Sequence, residues 1–293
     1  MIQDHVTKLC CTMTGRLYLV ALPIGNLEDI TIRAIRILRS VDGILAEDTR
    51  TTKRILDRYR IETSFFSSVF QGSERQRIGW LLDELGSGKQ LALVSDAGSP
   101  MISDPGFPLT RAAITSGIPV IPIPGPSAVI AALIGSGMPP DRFCFEGAVP
   151  RKSGERRTLF ERLRTEPRTI ILFESPHRLT STLADLVELL PNRSVTLARE
   201  LTKRHEEFVR GGPREILDVL ETRDRVKGEC VLVLAGSQDE APPDRARIEK
   251  VLGVLRNTDV ANKTVVRILV AAFGIGRNAA YALVHAETDP SKG

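Results

Sequence analysis

Residues Gln90 to Ala128 read QLALVSDAGSPMISDPGFPLTRAAITSGIPVIPIPGPSA, two apolar runs that each end in a turn rich in Gly, Pro and Ser. Leu91, Ala92, Leu93 and Val94 predict a short buried strand, followed by Ser95, Asp96, Ala97, Gly98, Ser99, Pro100 and then Ser103, Asp104, Pro105, Gly106. The second run, Ile118 to Ile123, ends in Pro124, Gly125, Pro126, Ser127, and a helix-like segment joins the two. In an open parallel sheet, ligands sit in the crevice outside the strand carboxyl ends. Glycine there lets backbone groups come close to a ligand. Two such strand-loop units in succession predict one small-molecule cleft.

Outward from this stretch, strand and helix signals alternate, the pattern of an α/β protein with a largely parallel sheet. Arg16 to Ala21 predicts a strand ending in Leu22-Pro23-Ile24-Gly25-Asn26, then a helix capped by Thr31 with Ile32, Ile35, Leu38 and Val41 on one face. Gly43 to Ala46 predicts a strand running into Glu47-Asp48-Thr49-Arg50, and Ser73 to Leu85 a helix. After Met138-Pro139-Pro140 the pattern restarts, with strands over Arg142 to Gly147, Arg168 to Phe173, Arg193 to Ala198 and Gly228 to Ala235. Helices fall over Gly154 to Leu163 and Leu179 to Leu190. The expected organisation is an N-terminal extension (1–15), an N-terminal α/β domain (16–137), a C-terminal α/β domain (138–236), a linker and a helical appendage (245–288). The appendage turn Phe273 to Asn278 reads either as a helix-turn-helix, a nucleic-acid reader, or as a helical hairpin packed on the second domain.

The 293 residues, 42% hydrophobic and 26% charged, fit a two-domain globular chain. A net charge of +4 mildly favours an anionic partner. Cys10, Cys11, Cys144 and Cys230 fit neither a zinc site nor a disulfide framework, which predicts reduced thiols and a cytoplasmic protein. The first fifteen residues lack the apolar core of a signal peptide. Ile118 to Pro140 runs 23 residues without a charge, yet Pro119, Pro122, Pro124 and Pro126 exclude a spanning helix, so no membrane association is expected.

No Cys/His metal cluster, Gly-x-Ser-x-Gly elbow, phosphate loop or full Gly-x-Gly-x-x-Gly occurs, which removes support from hydrolase, kinase and dehydrogenase readings. The loops offer small residues, prolines and main-chain polar groups, a composition suited to holding a cofactor that carries the reactive group. No metal is expected.

Eight segments carry a resemblance: LYLVALPIGNLEDIT (from Leu17), AEDTR (from Ala46), LVSDAGSPMISDPG (from Leu93), PGPSA (from Pro124), GMPPDRFCFEG (from Gly137), FESPHR (from Phe173), ARELTK (from Ala198) and KGE (from Lys227). Over roughly Arg16 to Ala235 the chain resembles the small-subunit ribosomal RNA cytidine 2′-O-methyltransferase I family of the tetrapyrrole methylase superfamily. That resemblance implies two α/β domains with mostly parallel sheets, S-adenosyl-L-methionine in the cleft between them, ribosomal RNA or the small ribosomal subunit as partner, and a homodimer. It assigns Pro23, Ile24, Gly25 and Asn26 to a first cofactor loop, Asp96, Gly98, Ser99 and Ile102 to a second, and Ser127 and Ala128 to a third. Phe173, Ala198 and Glu229 would approach from the second domain.

Methyl transfer to a ribose hydroxyl needs the oxygen in line and its proton removed. Carboxylates or a lysine at the cleft would serve: Asp48 and its neighbour Glu47, Glu174, Glu200 and Lys203. Their alternative role is ion pairing, Asp48 with Arg50 and Glu200 with Arg199 or Arg204. RNA contact is expected from Arg50, Arg151, Lys152, Arg156, Arg157, Arg178 and Arg204, with a solvated amphipathic helix as the alternative for the stretch from Arg151 to Arg168. One departure stands out. Where the family carries His-x-His-Asn-Glu, this chain has Phe70, Gln71, Gly72, Ser73 and Glu74, so only the glutamate survives and placement of the target nucleotide is put in doubt. Two other readings remain: a tetrapyrrole (corrin or sirohaem) methylase, disfavoured because the first loop lacks Gly-x-Gly-x-Gly-Asp, and an RNA-binding assembly factor that keeps the cofactor pocket without turnover.

Overall fold

A computed structural model describes residues 15–68, 74–237, 245–258 and 260–285. Residues 1–14 of the N-terminal extension, Cys10 and Cys11 among them, Phe70 to Ser73 and most of the linker lie outside the described residues. The chain divides after Ser237 into two compact units.

The first half of the larger unit runs β1 (Arg16–Val20), α1 (Ile32–Ser40), β2 (Gly43–Ala46), α2 (Thr49–Arg58), β3 (Phe65–Ser68), α3 (Glu74–Gly86), β4 (Gln90–Val94), α4 (Phe107–Thr115), β5 (Val120–Ile123) and α5 (Ala128–Ser136). Its strands form one parallel sheet in the order β3-β2-β4-β1-β5, with Leu17 opposite Leu91 and Val120. Alternate residues face opposite sides of a strand. Tyr18, Ala92 and Ile44 enter one core beneath α1 and α2, whereas Leu17, Leu91 and Leu45 enter another beneath α3 and α4. Burial on both faces explains why these strands read as unbroken apolar runs. On α1, Ala34 and Leu38 are buried while the expected Ile32 is 88% exposed, because the core stripe starts at Ala34 and continues to Leu38 and Val41.

The second half runs β6 (Phe143–Ala148), α6 (Ser153–Arg162), β7 (Thr169–Glu174), α7 (Leu179–Leu189), β8 (Val195–Arg199), β9 (Glu207–Gly211), α8 (Pro213–Glu221) and β10 (Cys230–Leu234). Its sheet, ordered β6-β7-β10-β8-β9, departs from mostly parallel pairing: only β6 with β7 is parallel, and the other three pairs are antiparallel. The cause lies in connection length. The short 200–206 segment between β8 and β9 is a hairpin link, too short for the crossover that parallel neighbours need. One face packs on α6, α7 and α8, and the other on α5, whose Val129, Ala132 and Leu133 join Ile171, Val231 and Val233.

The second unit holds α9 (Arg245–Arg256), α10 (Asn262–Phe273) and α11 (Arg277–His285) around a small core of its own.

Candidate functional site

The order of the first sheet places a topological switch beside β1. The chain leaves β1 towards β2 but leaves β4 towards β5 on the other side, so the loops after β1 and β4 diverge and open a crevice. They are tied at its base, where the Leu22 amide donates to the Gly98 carbonyl (2.8 Å) and the Gly98 amide to the Leu22 carbonyl (3.0 Å). Beyond the tie, the β4 loop coils through left-handed backbone at Gly98 (φ 71°), Met101 (70°), Ser103 (69°) and Gly106 (121°). Glu74 holds the far end: its Oε1 accepts from the Gly106 amide at 2.7 Å. Facing this from the second sheet, the loop after β8 carries Glu200 (φ 52°) and Thr202 (65°), again left-handed. Non-glycine residues in this region store strain and cluster at functional sites.

A cavity of about 370 Å³, within the ~300–1,000 Å³ of small-molecule sites, is lined by the loops after β1, β4 and β7, the start of α5 and the start of β10. Of the expected cofactor residues it brings together Ile24, Gly98, Ser99, Ile102, Ser127, Ala128, Phe173 and Glu229. Ile24, Val129, Phe173 and Val231 give it apolar walls. Ser127 caps α5 by accepting from the Ile130 amide, and Ser127, Ala128 and Val129 at the start of that helix line the same space.

The other five expected cofactor residues stand around the cavity and not in its wall. Pro23 is buried below the loop, and Ala198 is fully buried in the core under α5. The Asp96 Oδ1 accepts from the Asp48 amide at 2.9 Å. Gly25 and Asn26 belong to a clasp between the sheets. The Asn26 amide donates to Thr202 Oγ1 at 3.0 Å, and a Cβ on Gly25 would lie 2.5 Å from Lys203 Cγ and 2.8 Å from the Leu201 carbonyl oxygen. Gly98 also differs from expectation in its reason: both its backbone groups are spent on Leu22, and a Cβ there would meet Ile24 at an ordinary 3.4 Å. Its left-handed φ is what calls for glycine.

The acid–base candidates separate sharply. Asp48 caps α2 and pairs with Arg50, which holds its carboxyl at about 2. Glu174, its side chain fully buried, accepts from Arg178 (2.6 Å), the Ser175 amide (2.6 Å) and Thr182 (2.5 Å), so both oxygens are engaged. Lys203 binds Glu200 (2.9 Å) and Glu229 (3.1 Å); burial pulls its pKa down, but these carboxylates outweigh burial and raise it, while Lys203 lowers that of Glu200. Two carboxyls behave differently. Glu47 rises to about 6, chiefly through burial and then through the charges of Asp104 and Asp96. Asp104, in the cavity wall, also rises to about 6, through burial opposed by the Ser95 hydroxyl and assisted by Asp96. Asp104 was missed in the sequence because the SDPG turn reads as loop geometry, and only the fold reveals the neighbouring acids.

The basic residues expected at RNA are mostly engaged within the protein. Arg156 is a correction: it is buried, its Nε 2.5 Å from Asp185 Oδ2, so it joins α6 to α7 and presents nothing to solvent. Arg157 bridges Asp185 and Glu188. Arg178 donates to Glu174 and to the Val149 carbonyl. Lys152 pairs with Glu155, and Arg50 with Asp48. Arg151 and Arg204 are exposed. Among the described residues no group of three or more His, Cys, Asp or Glu forms a metal site, and no helix is long and apolar enough to cross a membrane. Cys144 and Cys230 are free thiols, and burial pushes Cys230, in the cavity wall, up to about 12.

The family model of tetrapyrrole (corrin/porphyrin) methylases matches residues 16–217. Ribosomal RNA small subunit methyltransferase I of Halalkalibacterium halodurans is 47% identical over 231 residues, 78% of this chain and 79% of that protein. The protein of the same name from Escherichia coli O157:H7 is 43% identical over 273 residues, 91% of this chain and 93% of that one. Among solved structures, uroporphyrin-III C-methyltransferase from Thermus thermophilus complexed with S-adenyl homocysteine superposes with a TM-score of 0.52 at 19% identity, covering 75% of this chain and 97% of that one. At that identity the likeness concerns the fold.

Proposed function

The chain belongs to the tetrapyrrole (corrin/porphyrin) methylase family, among the small-subunit ribosomal RNA methyltransferase I proteins, and on that premise we propose that it 2′-O-methylates the ribose of a cytidine in small-subunit ribosomal RNA, using S-adenosylmethionine. The reading is carried by the cavity where the loops after β1, β4 and β7 meet. Its apolar walls suit a nucleoside and the aliphatic chain that carries the sulfonium, which becomes a thioether when the methyl leaves, and the start of α5 suits a carboxylate. S-adenosylmethionine bound there supplies an electrophilic methyl group. The protein's part is to hold the hydroxyl in line and take its proton. Asp104 is our candidate base: it lines the cavity, and a base with a pKa near the working pH is the more effective one. Asp48 and Glu174 are reassigned to capping and packing, and Glu200 and Lys203 to the clasp.

The expected partners are the small ribosomal subunit or its RNA, in the cytoplasm, and a second copy of the chain. Ile130 and Ile134, 46% and 74% exposed on α5, are apolar groups that a second copy would cover. Light scattering should then return about twice the chain's 32.2 kDa. The functional test is incubation with labelled S-adenosylmethionine and purified small ribosomal subunits. Label in 2′-O-methylcytidine is expected. Cofactor binding with no transfer would overturn the proposal in favour of an assembly factor, and label entering only a tetrapyrrole would overturn it in favour of the corrin or sirohaem chemistry.

A further inference from the structure

Residues 245–285 of the helical unit carry seven Lys and Arg against two Asp and Glu, a net of +5 in a chain whose total is +4. Within it, α10 ends at Gly274 in left-handed backbone (φ 65°), the Gly274 amide donating to the Val270 carbonyl. Ile275, in the turn, is buried in the unit's core, which fixes how α11 departs.

On α11, Ala280 is fully buried, so the opposite side faces water. At 3.6 residues per turn, Arg277, Asn278, Tyr281 and His285 fall within one arc of ~100°. All four are exposed, Tyr281 by 59%, and the Tyr281 and His285 rings lie 4.2 Å apart. The helix, RNAAYALVH, contains no acidic residue. The two rings are tilted by 41°, so His285 braces the edge of Tyr281 and the exposed tyrosine ring offers its own face to a base. A guanidinium and an amide at the same helix start suit a phosphate and a base edge.

Resting on the RNA reading above, we propose that this face of α11 is an RNA-binding surface, with Arg277 on a phosphate and Tyr281, braced by His285, stacking on an unpaired base of the ribosomal RNA. Sequence-specific RNA recognition targets unpaired bases stacked on aromatic side chains, which is the ligand this combination takes.

The test uses the full chain and protein-free small-subunit ribosomal RNA, with binding measured across a salt series. Tyr281→Ala should weaken binding by about tenfold. Arg277→Gln should lower the slope of log affinity against log salt by about 0.9, one released phosphate contact. Both variants should keep the parent's affinity for S-adenosylhomocysteine and its circular dichroism, and Lys250→Gln, which removes the same charge from α9, should change affinity less than twofold. Equal effects of Lys250→Gln and Arg277→Gln with none from Tyr281→Ala would reduce the surface to net charge and overturn the proposal. Variants weakened on assembled subunits but not on free RNA would overturn it in favour of a ribosomal protein partner. The two readings fail separately: a parent that binds RNA without methylating it sinks the methyltransferase assignment, and variants that bind as the parent does sink the α11 surface.

Discussion

A carboxylate becomes a base, a cap or a structural anion according to the groups around it, and this cleft holds each kind. Asp48 beside Arg50 is ionised throughout the working range and Glu174 is fully engaged, whereas Asp104 and Glu47 share a half-buried space with Asp96 and gain affinity for a proton. If Asp104 is the base, kcat should rise tenfold per pH unit below about 6 and level off above it. Asp104→Asn should lower kcat by ~10²- to 10⁴-fold and flatten that limb; an unchanged profile would sink the assignment. Stability gives an independent readout. Both carboxyls are raised in the folded state, so their contribution is fully present below about pH 4, their ordinary values being 3.8 and 4.5, and is lost as pH rises through about 6. The Tm of Asp104→Asn relative to the parent should therefore improve from pH 5 to pH 8, and a constant difference would contradict the raised pKa. Gly98 supplies a second residue-level test. Since its left-handed φ and not its lack of a side chain is decisive, Gly98→Asn should keep more S-adenosylhomocysteine affinity in calorimetry than Gly98→Val, because asparagine tolerates that backbone. These roles were only partly legible in the sequence. Motif order pointed to the loops, but whether a carboxylate or a glycine in a loop meets ligand, partner side chain or backbone is decided by segments 48 to 176 residues away.

At the scale of elements, what the sequence announced was governed by how many apolar residues each element needed. The central strands β1, β2 and β4, buried on both faces, were readable almost to the residue. The helix α2 was not, because TRTTKRILDR buries only Thr52, Ile55 and Leu56, and the edge strand β9, EFVRG, has one partner and little apolar pattern. The basic helix α6 is legible as a helix, but the direction its arginines face is not. Charge along a sequence does not tell which arginine faces inward, and α7 supplies Asp185 exactly one packed helix away from Arg156. This makes Arg156 a folding residue. Arg156→Leu leaves Asp185 with only the half-exposed Arg157, and urea unfolding should show a loss of about 3 kcal/mol, the range for breaking a buried ion pair. Arg151→Ala, at an exposed position, should stay within about 0.5 kcal/mol. A stable Arg156→Leu with weakened RNA binding would restore the surface reading.

For the molecule as a whole, each sheet contributes only part of the cavity, so binding depends on how the two are held. The first sheet brings the loops after β1 and β4, the second brings Phe173 and Gly228 to Val231, and α5, which follows the last strand of the first sheet, packs on the second. Where the loops cross, Gly25 rests on Leu201, Thr202 and Lys203, and Lys203 in turn ties Glu200 to Glu229 in the cavity wall. A methyl group at residue 25 cannot be accommodated at 2.5 Å from Lys203 Cγ and 2.8 Å from a main-chain oxygen, so the two loops must separate. That separation draws Ile24 from Leu201 at the edge of the core under α5 and leaves the other cores of both sheets untouched. Gly25→Ala should therefore weaken S-adenosylhomocysteine binding by tenfold or more in calorimetry while the Tm of the ligand-free protein falls by a few degrees, a change of ~1 kcal/mol. Thr202→Val, which removes only the acceptor for the Asn26 amide and adds no bulk at the crossing, should weaken binding less. Parental affinity in Gly25→Ala would mean that the crossing is packing alone and that the cavity is held open by the sheets themselves.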